Sequence, residues 1–168
     1  GLIFLSYFGI RFSGEKKNYL EISPHDPKDI YGKTKSLGEI SSENFFNLRC
    51  SIIGEEIENK KSLLEWFKNL KKNSEITGFE DHQWNGVTTQ VFAELLKCII
   101  LKKIKIPNNL NIVPKNYVSK FQLLKYFQKY YQRNDIKINK GKSKKPINRT
   151  LGTIHKKINL KIWNNSTY

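Results

Sequence analysis

An α/β layer fold with parallel strand pairing is predicted by three features of the chain. Strand-like and helix-like segments alternate, the first apolar run is unbroken as in a strand covered on both faces, and the chain is long enough for a packed core. It has 168 residues, of which 38% are hydrophobic; that suits one domain of roughly 100–200 residues and argues against disorder.

The elements follow in order. Leu2-Ile3-Phe4-Leu5 reads as a strand inside a parallel sheet. Ser13 to Asn18 reads as a loop, and Pro24 and Pro27 hold the chain extended until a helix starts near Asp29. That helix is expected over about Ile30 to Glu43, with Gly32 and Gly38 marking close packing on a neighbour. Phe45 to Ile53 is β-rich and stops at Gly54.

Leu63, Leu64, Trp66, Phe67 and Leu70 lie at helical spacing within Ser62 to Lys72. Glu75 to Phe79 is a strand candidate, Thr88 or Thr89 can cap a helix reaching about Leu101, and Leu110 to Val113 is strand-like. Ser119-Lys120-Phe121-Gln122 has the capping-box pattern for a helix to about Gln132. Asp135 to Ile138 gives a last strand, and Gly141 to Pro146 a solvated loop; there is no internal repeat.

Thirty Lys+Arg stand against fifteen Asp+Glu, a formal net charge of +15. The imbalance is local: residues 1–96 carry a net −2 and residues 97–168 a net +17, with Asp135 the one acidic residue of the second part. Such an excess suggests an anionic partner. A competing source is codon bias, since Lys, Ile and Asn crowd a chain whose one alanine is Ala93.

Cys50 and Cys98 follow no CxxC pattern and read as buried, reduced thiols, which fits a cytoplasmic protein. The apolar run from Gly1 to Ile10 is short of the ~18 residues of a membrane span and lacks the basic flank of a signal peptide, so no membrane partner is expected. His25, His82 and His155 lack metal-ligand spacing; they read as surface residues and no metal is expected.

Tyr31 and Lys35 lie four apart, on one face of the first helix. A tyrosine hydroxyl, with a pKa near ~10, is a poor acid at neutral pH, but an adjacent ammonium stabilises the phenolate. The pair can protonate a carbonyl oxygen as hydride reaches the carbon. Arg49 lies in an otherwise apolar strand, so it must meet a carboxylate or phosphate.

These residues belong to an ordered series: Phe12-Ser13-Gly14, Tyr31-Gly32-Lys33-Thr34-Lys35, Leu48 to Gly54, Trp84-Asn85-Gly86-Val87-Thr88-Thr89, Val118 to Leu124 and Asn148-Arg149-Thr150-Leu151. Over roughly residues 12–152 the series resembles the extended short-chain dehydrogenase/reductase superfamily, and within it the dTDP-4-dehydrorhamnose reductase family. The resemblance implies the C-terminal part of a Rossmann-like parallel sheet plus a smaller substrate-binding subdomain. Residues 1–60 would complete the NAD(P)-binding domain, 61–152 form mainly the substrate subdomain, and 153–168 a tail.

The implied reaction is reduction of a nucleotide-linked 4-keto sugar by NADPH or NADH, for dTDP-rhamnose or a related surface polysaccharide precursor. Tyr31 would be the proton donor and Lys35 would also bind the nicotinamide ribose. Arg49 and Ser51 would lie beside the nicotinamide, while Trp84, Asn85, Gly86, Thr88 and Arg149 would bind the sugar nucleotide. A homodimer is the assembly that the resemblance allows.

Two departures stand out. The glycine-rich strand–turn–helix that receives a dinucleotide pyrophosphate does not occur. Together with the absence of Met, this leads to the expectation that the chain is the later part of a larger enzyme. The Ser/Thr that polarises the substrate carbonyl in the family has Tyr7 or Phe8 in its place, and Ser6 reaches it only through a bulge. A nucleotide-sugar epimerase or dehydratase shares the Tyr-x-x-x-Lys pair and is the first alternative. A nucleic-acid-binding module built on the basic C-terminal segment is the alternative of another class, disfavoured because no helix-turn-helix, finger or aromatic RNA-binding signature occurs.

Overall fold

The computed structural model describes residues 2–7, 12–15, 18–28, 30–40, 42–58 and 61–166, without the side chains of 2–7 and 31. The chain runs through β1 (Leu2–Tyr7), α1 (Ile30–Leu37), β2 (Phe45–Cys50), β3 (Ile52–Ile53) and α2 (Leu63–Lys68). It continues through β4 (Glu75–Phe79), β5 (His82–Trp84), β6 (Val87–Thr88), α3 (Thr89–Leu101) and β7 (Asn109–Asn111). The last elements are β8 (Val118–Ser119), α4 (Lys120–Tyr130), β9 (Lys137–Gly141), β10 (Ile147–Asn148) and α5 (Lys156–Asn165).

Strands and helices alternate as the sequence predicts, and pairing is parallel in the sheet β1-β2-β7 and in the pairs β3-β6 and β4-β9. The remaining sheet, β10-β5-β8, is mixed, with β8 antiparallel to β5. The expected strand from Phe45 to Ile53 is interrupted at Ser51: β2 pairs with β1 and β7, whereas β3 crosses to pair with β6. The Ser51 carbonyl at the break accepts from Val87 N–H at 2.8 Å, so it stays paired there.

That crossing joins two cores. Successive strand residues face opposite ways, and Ile52 packs on a cluster of Leu48, Leu95, Leu110, Ile112 and Ile162. Ile53 packs on the other cluster, of Leu64, Phe67, Leu124, Phe127 and Ile136. Cys50 and Cys98 are buried free thiols in the first core, and burial pushes the Cys50 thiol well above its ordinary range.

Helix starts coincide with their local signals. Thr88 caps α3 by accepting from Val91 N–H, and Ser119 and Gln122 close a full capping box on α4. α1 ends at Leu37, before the Glu43 expected, because the chain turns at Gly38 and sends Glu39 toward Arg49. Residues 153–168, expected only as a tail, contain α5, whose Ile162 is fully buried in the first core. Trp163 Nε1 donates to the Val113 carbonyl at 3.0 Å, and Asn159 exchanges two hydrogen bonds with the Val113 backbone. Among the described residues no helix is long and apolar enough to cross a membrane.

Arg49 is 3% exposed and meets the carboxylate its burial requires. Its Nε and Nη2 donate to the two oxygens of Glu39 at 2.7 and 2.6 Å, and Nη1 donates to the Glu21 carbonyl at 3.0 Å. The Glu21 carboxylate accepts from Asn111 N–H at 2.9 Å, Ile154 N–H at 3.0 Å and the Thr153 hydroxyl. His25, expected at the surface, is instead tucked between the Phe12 ring edge and the Ser36 hydroxyl.

Removing one partner of a buried pair strands the other charge, at a cost of roughly 3–5 kcal/mol. Glu39→Ala should therefore lower unfolding free energy by about that much in urea melts, and the joint Arg49→Leu, Glu39→Leu replacement should recover most of the loss. An exposed-type effect below ~1 kcal/mol for Glu39→Ala would contradict this placement.

Candidate active site

The segment Trp84 to Thr89 is built by side chains that serve its backbone. The Asn85 side chain pairs with the peptide group of Leu151 on both sides: its Nδ2 donates to the Leu151 carbonyl at 2.8 Å, and its Oδ1 accepts from Leu151 N–H at 2.7 Å. This fixes residues 149–151 beside β5 and so presents Arg149. At Gly86 a Cβ would lie 2.1 Å from Trp84 Cζ2 and 2.3 Å from the Ser51 carbonyl oxygen, so the indole seats directly on the glycine. Gly14, at φ 80°, lets the Arg149 stem pass, since its Cβ would come within 3.1 Å of Arg149 Cγ.

Two adjoining clefts open from this segment. The larger, about 760 Å³, has Gly54, Lys61, His82, Trp84, Lys120 and Arg149 on its walls. The smaller, about 600 Å³, has Trp84, Gly86, Thr88, Tyr126, Tyr130 and Tyr131. Trp84 and Leu123 belong to both walls, as do Ile53 and Gly54 at the end of β3. Both volumes fall in the range of about 300–1,000 Å³ usual for small-molecule sites.

The larger cleft is electropositive. Lys120 and Arg149 make no ion pair among the described residues, and Lys120 Nζ lies 5.9 Å from the Trp66 ring centre and 5.7 Å from that of Phe79. Burial lowers the Lys120 pKa. The acidic groups at the rim are already engaged. Glu55 is held by Lys68 Nζ at 2.9 Å and by the Tyr131 hydroxyl at 3.2 Å, which hold its carboxyl below the usual range. Glu56 accepts from Lys61 N–H at 2.7 Å. Unpaired cations beside aromatic faces suit a phosphorylated ligand with a planar base.

Of the residues nominated from sequence, Trp84 and Arg149 line the larger cleft and Trp84, Gly86 and Thr88 the smaller. Asn85 is buried and acts through the Leu151 backbone. Ser51 is 1% exposed and lines neither cleft. Arg49, expected beside the nicotinamide, is buried, and its guanidinium bonds Glu39 and the Glu21 carbonyl. Tyr31 and Lys35 sit one turn apart on α1, with Lys35 half-buried and on neither cleft wall. The side chains of Tyr31 and Ser6 lie outside the described residues, as does the Tyr7 or Phe8 position weighed against Ser6.

Lys120, His82 and Lys61 were not nominated. The signals were at hand for two of them, as Lys120 directly follows the Ser119 cap and His82 lies two residues before Trp84. Among the described residues no cluster of His, Cys, Asp and Glu could hold a metal ion. These residues do not form a dinucleotide cradle: the sequence has no glycine-rich phosphate turn, and Arg49 and Ser51 are sealed inside the protein.

No family model matches the chain, and a search of curated proteins finds no match. Solved structures do share its fold. A dTDP-4-dehydrorhamnose reductase from Yersinia enterocolitica superposes with a TM-score of 0.66 at 17% identity, covering 94% of this chain and 59% of the reductase. A hypothetical dTDP-4-dehydrorhamnose reductase from Sulfolobus tokodaii gives 0.68 at 18%, covering 98% and 58%. A UDP-glucuronic acid 4-epimerase from Bacillus cereus, solved with UDP-glucuronic acid and NAD, gives 0.67 at 18%, covering 99% and 56%. The chain thus spans less than two thirds of the length of each. Over that stretch it has the Rossmann-like α/β fold of the dTDP-4-dehydrorhamnose reductases, which dehydratases and an epimerase acting on nucleotide-linked sugars share.

Proposed function

We propose that this chain serves an NAD(P)-dependent reductase of a nucleotide-linked 4-keto sugar, dTDP-4-dehydrorhamnose or a relative, acting in the cytoplasm. Its own contribution is the pocket for the sugar nucleotide and the helix that carries Tyr31 and Lys35. The observation that carries the reading is the cleft in which Arg149 and Lys120, both without a carboxylate partner among the described residues, line the wall with Trp84. A diphosphate brings two negative charges to those cations. The Arg149 guanidinium suits paired phosphate oxygens, Lys120 acts as a point charge, and the Trp84 ring offers a face to a sugar or base.

Tyr31 is assigned the proton delivered to the substrate oxygen and Lys35 the ammonium that makes its hydroxyl acidic enough. The fold is common to reductases, dehydratases and an epimerase, so the choice of reductase rests on the likeness of Trp84-Asn85-Gly86-Val87-Thr88-Thr89 and Asn148-Arg149-Thr150-Leu151.

Isothermal titration with dTDP-glucose and UDP-glucose tests the pocket. At least one should bind, and Arg149→Ala should weaken that binding about tenfold or more, the scale of a lost charge-assisted hydrogen bond. Lys120→Ala should weaken it several-fold and make it less sensitive to salt. Failure of both nucleotide sugars to bind, alongside salt-dependent binding of arbitrary DNA, would instead favour the basic nucleic-acid module.

Gly86→Ala tests the seat of Trp84. The added methyl must displace the indole or the Ser51 carbonyl, so thermal melts should show a loss of about 1–3 kcal/mol. Affinity for the nucleotide sugar should fall with it. Unchanged stability and affinity would show that the indole does not rest on this glycine.

A further inference from the structure

His82 opens β5 and lines the larger cleft together with Lys120 and Arg149. Its Nε2 is shielded from water and has no hydrogen-bond partner among the described residues. The Lys145 backbone lies near the ring and favours its protonated form. A phosphate oxygen is an acceptor, and the doubly protonated imidazole offers it Nε2–H whichever nitrogen carries the proton of the neutral ring.

The groups around the ring set the direction of its protonation. Burial acts most strongly and lowers the His82 pKa, and the nearby positive charges of Lys120 and Arg149 act the same way. Asp81 and the Lys145 backbone oppose them, and the Asp81 carboxylate is itself tied to Ser143 N–H and the Ser143 hydroxyl. Phe79, 4.8 Å away between ring centres, adds an apolar wall. Lys61, Glu55 and Glu56 complete the charged residues of the cleft, and the two glutamates are held by Lys68, Tyr131 and the Lys61 backbone. The empty cleft therefore keeps His82 neutral near pH 7. A diphosphate would neutralise Lys120 and Arg149 and give Nε2–H an acceptor, reversing two of the causes at once.

We infer that His82 is a specificity-determining residue of this cleft, which takes up a proton as a diphosphate-linked ligand binds and donates it from Nε2 to a phosphate oxygen. The inference rests on the reading of the cleft as a sugar-nucleotide pocket. It explains why an imidazole stands among cations with one nitrogen unpartnered: protonation couples the cleft to anionic ligands and disfavours neutral sugars.

The sign follows from the bound form holding more protons than the free form. Affinity should rise as pH falls through the window between the lowered free-state pKa and the raised bound-state one. The probe is dTDP-glucose, whose diphosphate diester does not titrate in this range. It should bind about fivefold more tightly at pH 6 than at pH 8, with fractional proton uptake visible as a buffer-dependent heat. His82→Gln keeps an N–H donor that does not titrate, so it should bind at both pH values with a flat profile.

In the wild-type chain, the His82 imidazole followed by NMR should titrate at higher pH with dTDP-glucose than without it, a readout that needs no variant. A flat wild-type profile, a slope that survives in His82→Gln, or an imidazole whose titration the ligand does not move would overturn the role of His82 and leave the pocket standing. Absence of binding at both pH values would remove the sugar-nucleotide reading and this inference with it.

Discussion

A guanidinium withdrawn from water sits at the centre of the fold. Arg49 belongs to β2, the middle strand of the β1-β2-β7 sheet, where an unpaired cation would cost several kcal/mol. The fork it makes with Glu39 offsets that cost and fixes the chain as it leaves α1, while Nη1 fastens the Glu21 backbone. Glu21 in turn holds β7 through Asn111 N–H and the approach to α5 through Ile154 N–H. The Asn111 side chain donates to the Tyr19 and Gly152 carbonyls. Four segments far apart in sequence are thus locked by charged and amide groups, where small apolar clusters alone would leave their relative positions loose.

The cleft inherits its shape from this lock. The Tyr19–Leu151 bridge and the Asn85 side chain clamp residues 149–151 from two sides. Arg149 is therefore set by backbone pairing rather than by its own contacts. The Trp84 to Thr89 stretch divides its labour accordingly. Asn85, Gly86 and Thr88 shape the backbone, and Trp84 presents a ring to both clefts. The basic excess after residue 96 has two fates. Lys137, Lys140 and Lys145 pair with Glu75, Glu80 and Glu15 at the surface, contributing little stability each, while Lys120 and Arg149 line the cleft with no ion pair among the described residues.

What the sequence made legible was local. The Ser119 capping box, the Thr88 cap and the helical spacing of Leu63 to Phe67 each depend on residues within one turn, and each helix starts where its signal lies. The demand that Arg49 meet a carboxylate was also legible, because burial cost alone dictates it. The identity of Glu39 was not, since that contact required α1 to stop six residues short of the expected Glu43. The break at Ser51, the docking of α5 and the convergence of His82, Lys120 and Arg149 arise from pairings across tens of residues, for which spacing holds no signal. Tyr31 and Lys35 lie one turn apart on α1.

Local rules fail in this protein mainly at the cleft, and the failures point the same way. Lys120, His82 and Arg149 place like charges or potential charges on one surface, and the two carboxylates of the cleft, Glu55 and Glu56, are bonded to Lys68, Tyr131 and the Lys61 backbone instead. Burial pushes Lys120 and His82 toward their neutral forms, the charges of Lys120 and Arg149 add to the effect on His82, and Nε2 of His82 has no partner among the described residues. Each of these disfavours the folded state relative to a chain with an apolar cleft, and for His82 the opposing pull of Asp81 and the Lys145 backbone is outweighed. A dianion relieves all of them together. Its binding free energy then includes the removal of a penalty built into the fold, which a neutral ligand of the same shape would not obtain.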